Sequence, residues 1–205
     1  MNATLTLAPA MLLAGLAASA WTTVENPAPA APKALASYQI DAAHSFVMFR
    51  VTHLGIGAAY GQFRSMAGEL VYDAETPANS SISLTIDAAS IDTNSEGRDK
   101  HLRGADFFSV KEFPEITFKS SKIEAGKEKG SYAITGMLNM HGVEKEVTAQ
   151  GKLIGAGKDP WGKTRVGLEA EFKVNRMDFG VDYMPDGLGK EVAVVVAIEA
   201  TLNEE

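Results

Sequence analysis

The sequence predicts an all-β domain, a barrel or a sandwich, with one short helical segment near residues 95–108. Three observations lead there. Apolar and polar residues alternate at a period of two over several stretches, clusters of Gly, Asp, Asn and Pro separate those stretches, and neither a βαβ rhythm nor an internal repeat is present.

The alternation is plainest in three places. Ile82, Leu84 and Ile86 alternate with Ser81, Ser83, Thr85 and Asp87. Val166, Leu168, Ala170, Phe172 and Val174 alternate with Gly167, Glu169, Glu171, Lys173 and Asn175. Val192, Val194, Val196 and Ile198 share one parity. Such a strand turns one face to a core or cavity and the other to water. Further strands are expected at 38–52, 60–72, 115–125, 131–140 and 145–157, about eight in all, with turns at 73–79, 125–130, 141–142 and 155–162. Gly55, Gly57, Gly61 and Gly68 lie in or beside long strands, where a curling wall needs bends or bulges. The helix is expected to start at Ser95 as N-cap, with Glu96 and Asp99 in its first turn, and to end at Gly104.

Composition narrows the function. The chain has 205 residues and a formal net charge of −7, which argues against a nucleic-acid partner. It has no cysteine, so disulfides, thiolate nucleophiles and thiolate metal sites are excluded. Residues 1–20 carry no charged side chain; the apolar run Met11–Ala17 precedes Ala18-Ser19-Ala20, which suits signal-peptidase cleavage after Ala20. The absence of Lys or Arg before that run is the one departure from a secretory leader. Residues 21–36, rich in Pro and Ala, read as an extended linker, so the domain is expected at 37–205.

Catalytic and metal signals are weak. Of the histidines His44, His53, His101 and His141, none forms a ligand motif, and His44 and His53 have opposite strand parity. Nucleophile-elbow, P-loop and dinucleotide motifs are missing. Asp106, Asp178 and Asp182 offer acids without a recognisable division of acid and base roles. No metal, no cofactor and no enzyme activity are therefore expected.

Several segments, in order, resemble the YceI-like family. They are Tyr38–Phe49, Thr52-His53-Leu54-Gly55, Gly61-Gln62-Phe63, Ile91-Asp92-Thr93, Arg98–Phe108, Phe113–Phe118, Gly136–Val143 and Asn175–Gly180. The resemblance covers essentially all of 37–205. It implies an extended antiparallel β-barrel, lipocalin-like, with a helical segment at one side, in a periplasmic or secreted protein. It also implies an elongated apolar tunnel that binds a polyisoprenoid, an isoprenoid quinone or a related amphiphile, for transport or storage.

On that expectation the lining candidates are Phe49, Phe63, Leu84, Phe107, Phe108, Phe118, Met137, Phe172 and Phe179. A plain packed core uses the same residue types, and the sequence does not choose between the two. His101, Arg103 and Asp106 either bind a head group or tie the helical segment to the barrel; polar side chains this close usually satisfy one another, which favours the second. Asn175, Arg176 and Asp178 read as fixing a turn. The expected partner is a long-chain lipid, and both transient membrane contact and a homodimer are compatible with the sequence. Two rivals are an enzyme acting on an isoprenoid or quinone, and a solid-core envelope interaction protein.

Overall fold

A computed structural model describes residues 35–203. The expected signal peptide and all but the last two residues of the expected linker lie outside the described residues. The strands are β1 (Ala36–Ile40), β2 (Phe46–His53), β3 (Gly57–Phe63), β4 (Met66–Tyr72), β5 (Ser81–Asp87), β6 (Ile91–Asp92), β7 (Glu115–Ala125), β8 (Ser131–Met140), β9 (Val143–Lys158), β10 (Thr164–Asn175) and β11 (Leu188–Leu202). The α-helix, α1, spans Glu96–Leu102.

Eight of these strands close into an antiparallel barrel. The order is β1-β4-β5-β7-β8-β9-β10-β11, and β11 returns to β1 with Ile40 opposite Ala200. The other three, β2, β3 and β6, continue β1, β4 and β5 beyond a common bend. Long strands read as single units at 38–52 and 60–72 are thus each broken once, at 41–45 and 64–65.

The bend is held by side chains that stand in for missing ladder bonds. The Ser45 hydroxyl accepts from the Glu199 amide at 3.0 Å and donates to the Glu199 carbonyl at 3.2 Å. Ser45 is buried, and its hydroxyl serves both backbone groups of Glu199, whose carbonyl also accepts from the Asp41 amide at 2.8 Å. In the next strand pair, the Ser90 hydroxyl accepts from the Ser65 amide at 3.1 Å and donates to the Asp87 carbonyl at 2.6 Å.

Alternation places the core where expected. Ile82, Leu84, Ile86, Val166, Leu168, Ala170, Val196 and Ile198 all point inward and are buried. At α1, Ser95 occupies the N-cap position without a side-chain capping bond. Asp99 instead turns inward, buried, and accepts from the Thr93 amide at 2.9 Å and from the Thr93 hydroxyl.

An ion-pair hub ties the bend to β10. The Arg165 guanidinium lies 2.9 Å from Asp41 Oδ2, 2.6 Å from Glu199 Oε1 and 2.8 Å from Asp159 Oδ2. Asp41, His44 and Glu199 come close enough to hold a metal ion, but Arg165 already supplies the carboxylates with their counter-charge.

Arg165 first, and then His44, hold the Asp41 carboxyl down from 3.8 to about 2. The folded state therefore binds this proton less tightly than the unfolded chain. The resulting stabilisation is complete above the unfolded value and is lost as pH falls from about 4 through about 2. We expect Asp41→Asn to be less stable than the native chain at pH 7 and to show a flatter acid limb across that window. Urea unfolding as a function of pH checks this, and parallel acid limbs would contradict it.

Candidate functional site

The barrel is solid at one end and hollow at the other. At the solid end Leu70, Ile82, Ile123, Ile134, Val166 and Leu168 leave a void of only about 20 Å³. At the other end, beyond the bend, lies a cavity of about 1110 Å³.

The hollow follows from the bend. β6 pairs with β3 at two positions, Gln62 with Asp92 and Phe63 with Ile91. The rest of the β3 edge, Gly57 to Gly61, has no strand beside it among the described residues. The wall is completed by α1 and the loop that follows it. That loop needs anchors, because a bare strand edge carries unpaired carbonyls. Arg103 supplies one, donating at 2.7 Å to the carbonyls of both Ala89 and Ile91. Arg98 supplies another, donating to the hydroxyl and carbonyl of Thr93.

Aromatic side chains line the space this leaves. Phe63 lies 5.8 Å from Phe49 and edge-on to Phe108 at 5.6 Å, between ring centroids. A Cβ on Gly61 would sit 2.3 Å from the Phe49 ring, so glycine is what lets Phe49 lie across β3. Phe107, His101 and Tyr183 form a second group, each pair 5.1 Å apart.

The far wall is the 181–188 segment, and it hangs on one buried cation. Arg176 is 5% exposed and donates to five backbone carbonyls, those of Val181, Tyr183, Met184, Leu188 and Gly189. Burial pushes its pKa down, and the field of Asp182 opposes that. Asn175 fixes the preceding turn, accepting from the Met177 amide at 3.1 Å and donating to Asp178 at 3.2 Å.

Two polar pairs sit at the rim. His101 Nε2 lies 2.9 Å from Asp106 Oδ2. Arg64 pairs with Asp92, whose carboxyl is held low first by the Asn94 amide and then by Arg64.

The candidates from the sequence separate cleanly. Phe49, Phe63, Phe107, Phe108 and His101 line the cavity. Leu84, Phe118, Phe172 and Phe179 point inward but pack in or against the solid core. Met137 lies on the outer face, out of phase with the buried Ile134, Leu138 and Met140, and opposite Lys119 and Glu146. Of the polar trio, Arg103 ties the loop to the barrel, while His101 and Asp106 pair at the rim. Sequence reasoning missed Val51, Ala59, Tyr60, Val181, Tyr183 and Met184 as lining residues. Tyr183 and Met184 sit in a loop with no periodicity to mark them; three large apolar residues among turn formers at 181–184 were the available signal.

The comparisons with known proteins agree with one another. The YceI-like domain model matches residues 38–201. Protein YceI of Salmonella arizonae is 41% identical over 166 residues, covering 80% of this chain and 86% of the relative. Among solved structures, the Campylobacter jejuni YCEI protein has 28% identity and a TM-score of 0.68, covering 75% of this chain and 90% of its own. Two more distant structures share the fold. Burkholderia cenocepacia BcnA has a TM-score of 0.72 at 24% identity, covering 79% and 99%. A Saccharophagus degradans domain described as polyisoprenoid binding has a TM-score of 0.63 at 17%, covering 83% and 100%.

Arg176→Met would keep the packed volume and strand the carbonyls Arg176 now serves. We expect a loss of roughly 2–4 kcal/mol in urea unfolding, from several buried acceptors left unpaired. Proteolytic cleavage should rise first within 181–188. A variant as stable as the native chain would show that this cation does not hold the loop.

Proposed function

We infer the function from a plain premise: the chain belongs to the YceI-like family. We propose that its barrel binds a long apolar lipid, an isoprenoid or isoprenoid quinone, and serves as a carrier or reservoir and not as an enzyme. Export through the 1–20 leader, to the periplasm or outside the cell, belongs to the same proposal, because a carrier of this kind works between membranes.

One observation carries the reading: a cavity of about 1110 Å³ at one end of a barrel whose other end leaves only about 20 Å³. Small-molecule pockets run to about 300–1,000 Å³, so this one suits a ligand at or above the upper end of that range. Its walls are largely Phe, Val, Met and Ala, and two polar pairs, His101–Asp106 and Arg64–Asp92, lie at its rim. A ligand that buries on the order of 400 Å² of apolar surface gains roughly 10 kcal/mol before ordering costs. The Saccharophagus domain's description as polyisoprenoid binding supports the same ligand class.

Ala59 tests this without disturbing the core. It faces Val51 across the ladder and lines the cavity. We expect Ala59→Phe to fill the hollow, leave thermal stability unchanged or higher, and weaken geranylgeraniol binding about tenfold or more in calorimetric titration. Phe108→Asp should weaken it as well, by placing an unpaired charge where the chain lies. If both variants fold and bind geranylgeraniol as the native chain does, the cavity is not the lipid site.

A further inference from the structure

The geometry points to the tip of the β2–β3 hairpin as a membrane-docking element that brings the cavity mouth against a lipid bilayer. This rests on the lipid-binding reading and adds where the lipid enters.

The tip is a two-residue turn. The Ile56 amide bonds the His53 carbonyl at 3.0 Å, and the two central residues both have positive φ, 53° at Leu54 and 65° at Gly55. That turn type favours Asn, Asp or Gly at both central positions. Leu54 sits there instead, with a backbone conformation that costs a leucine energy. It is not compensated by burial: Leu54 is 51% exposed and Ile56 is 91% exposed. Neither lines the cavity. Two apolar side chains, on either side of Gly55, are thus held in water at the end of a hairpin, Leu54 against local backbone preference.

Their surroundings say what covers them. The Leu54 amide donates at 2.7 Å to the Gly187 carbonyl, so the tip is tied to the loop that carries Tyr183 and Met184. Those two and Tyr60 are exposed on one side and line the cavity on the other. The apolar tip is therefore tied by a hydrogen bond to a loop whose tyrosine and methionine line the hollow. A bilayer is the partner that meets both requirements at once. Its hydrocarbon takes up Leu54 and Ile56, its interfacial zone accommodates tyrosines, and it holds the apolar chains that the cavity receives. Charge does not oppose this approach. On a chain with 26 acidic residues, none lies between Ala42 and Gly68, a stretch that includes Arg50 and Arg64. Asp182 and Asp186 are on the neighbouring loop, so insertion of the tip, more than charge, supplies the attraction.

The test is co-flotation with vesicles of phosphatidylethanolamine and phosphatidylglycerol, for the native chain and for a Leu54→Asn, Ile56→Ser double variant. Asparagine suits the turn, so thermal stability should hold or rise. We expect the variant's partition onto vesicles to fall about tenfold or more, with geranylgeraniol binding from solution unchanged. Equal flotation of the two proteins, or no flotation of the native chain, overturns the docking proposal while leaving the cavity reading intact. A change in molar mass by light scattering between the two proteins would make the tip a contact between copies of this chain, and also overturns it. Loss of geranylgeraniol binding by the native chain would overturn the lipid-binding reading underneath.

Discussion

The architecture depends on one constraint: backbone amides and carbonyls removed from water must be paired. A closed barrel meets it completely, because it has no edges. Here closure through β1 holds only up to the bend. β1, β4 and β5 complete the cylinder with β11, and then their continuations β2, β3 and β6 turn away together. At the point of divergence two serine hydroxyls, Ser45 and Ser90, replace ladder bonds that the bend removes. Past it, the β3 edge lacks a neighbouring strand, and the helical segment is drawn in to cover the gap.

The cavity follows from that cover. A strand would have carried alternating side chains into the interior and continued the packed core. The 93–114 segment is braced internally by Arg98 and the buried Asp99 on Thr93, and tied to the barrel by Arg103 on the Ala89 and Ile91 carbonyls. It offers Phe107 and Phe108 as a wall instead of a filling. Arg176 does the same for the 181–188 loop across the mouth, with its guanidinium on backbone carbonyls. These arginines are therefore architectural: their charge satisfies main-chain acceptors in places where no strand can. A hollow made this way is lined mostly by apolar side chains, with His53, Gln62, Asn94 and His101 among the polar ones.

Much of the fold was legible in the sequence, because a half-buried strand must alternate. Ile82, Leu84 and Ile86 announce β5, and Val166 to Val174 announce β10. The bend was not legible, since Asp41 to Ser45 and Arg64-Ser65 carry no proline and interrupt the strand pattern only briefly. The site was legible in part. Phe107-Phe108, adjacent aromatics after the single helical signal, mark the wall. Leu84, Phe118, Phe172 and Phe179 could not be told from lining residues, because whether an inward side chain meets a hollow or a core depends on where along the barrel the wall divides. Met137 misled for a local reason: Gly136 before it gives no sign of parity, and both faces of β8 carry apolar residues. Arg176 read correctly as belonging to a turn, but its reach to carbonyls as far as Gly189 is a property of the folded loop.

The most direct measurement is native mass spectrometry of the chain purified without detergent from its own host. The expected spectrum shows the polypeptide mass plus one apolar lipid per chain, released on collisional activation and identifiable by its fragments. An unmodified polypeptide mass, unchanged after incubation with geranylgeraniol, would contradict it.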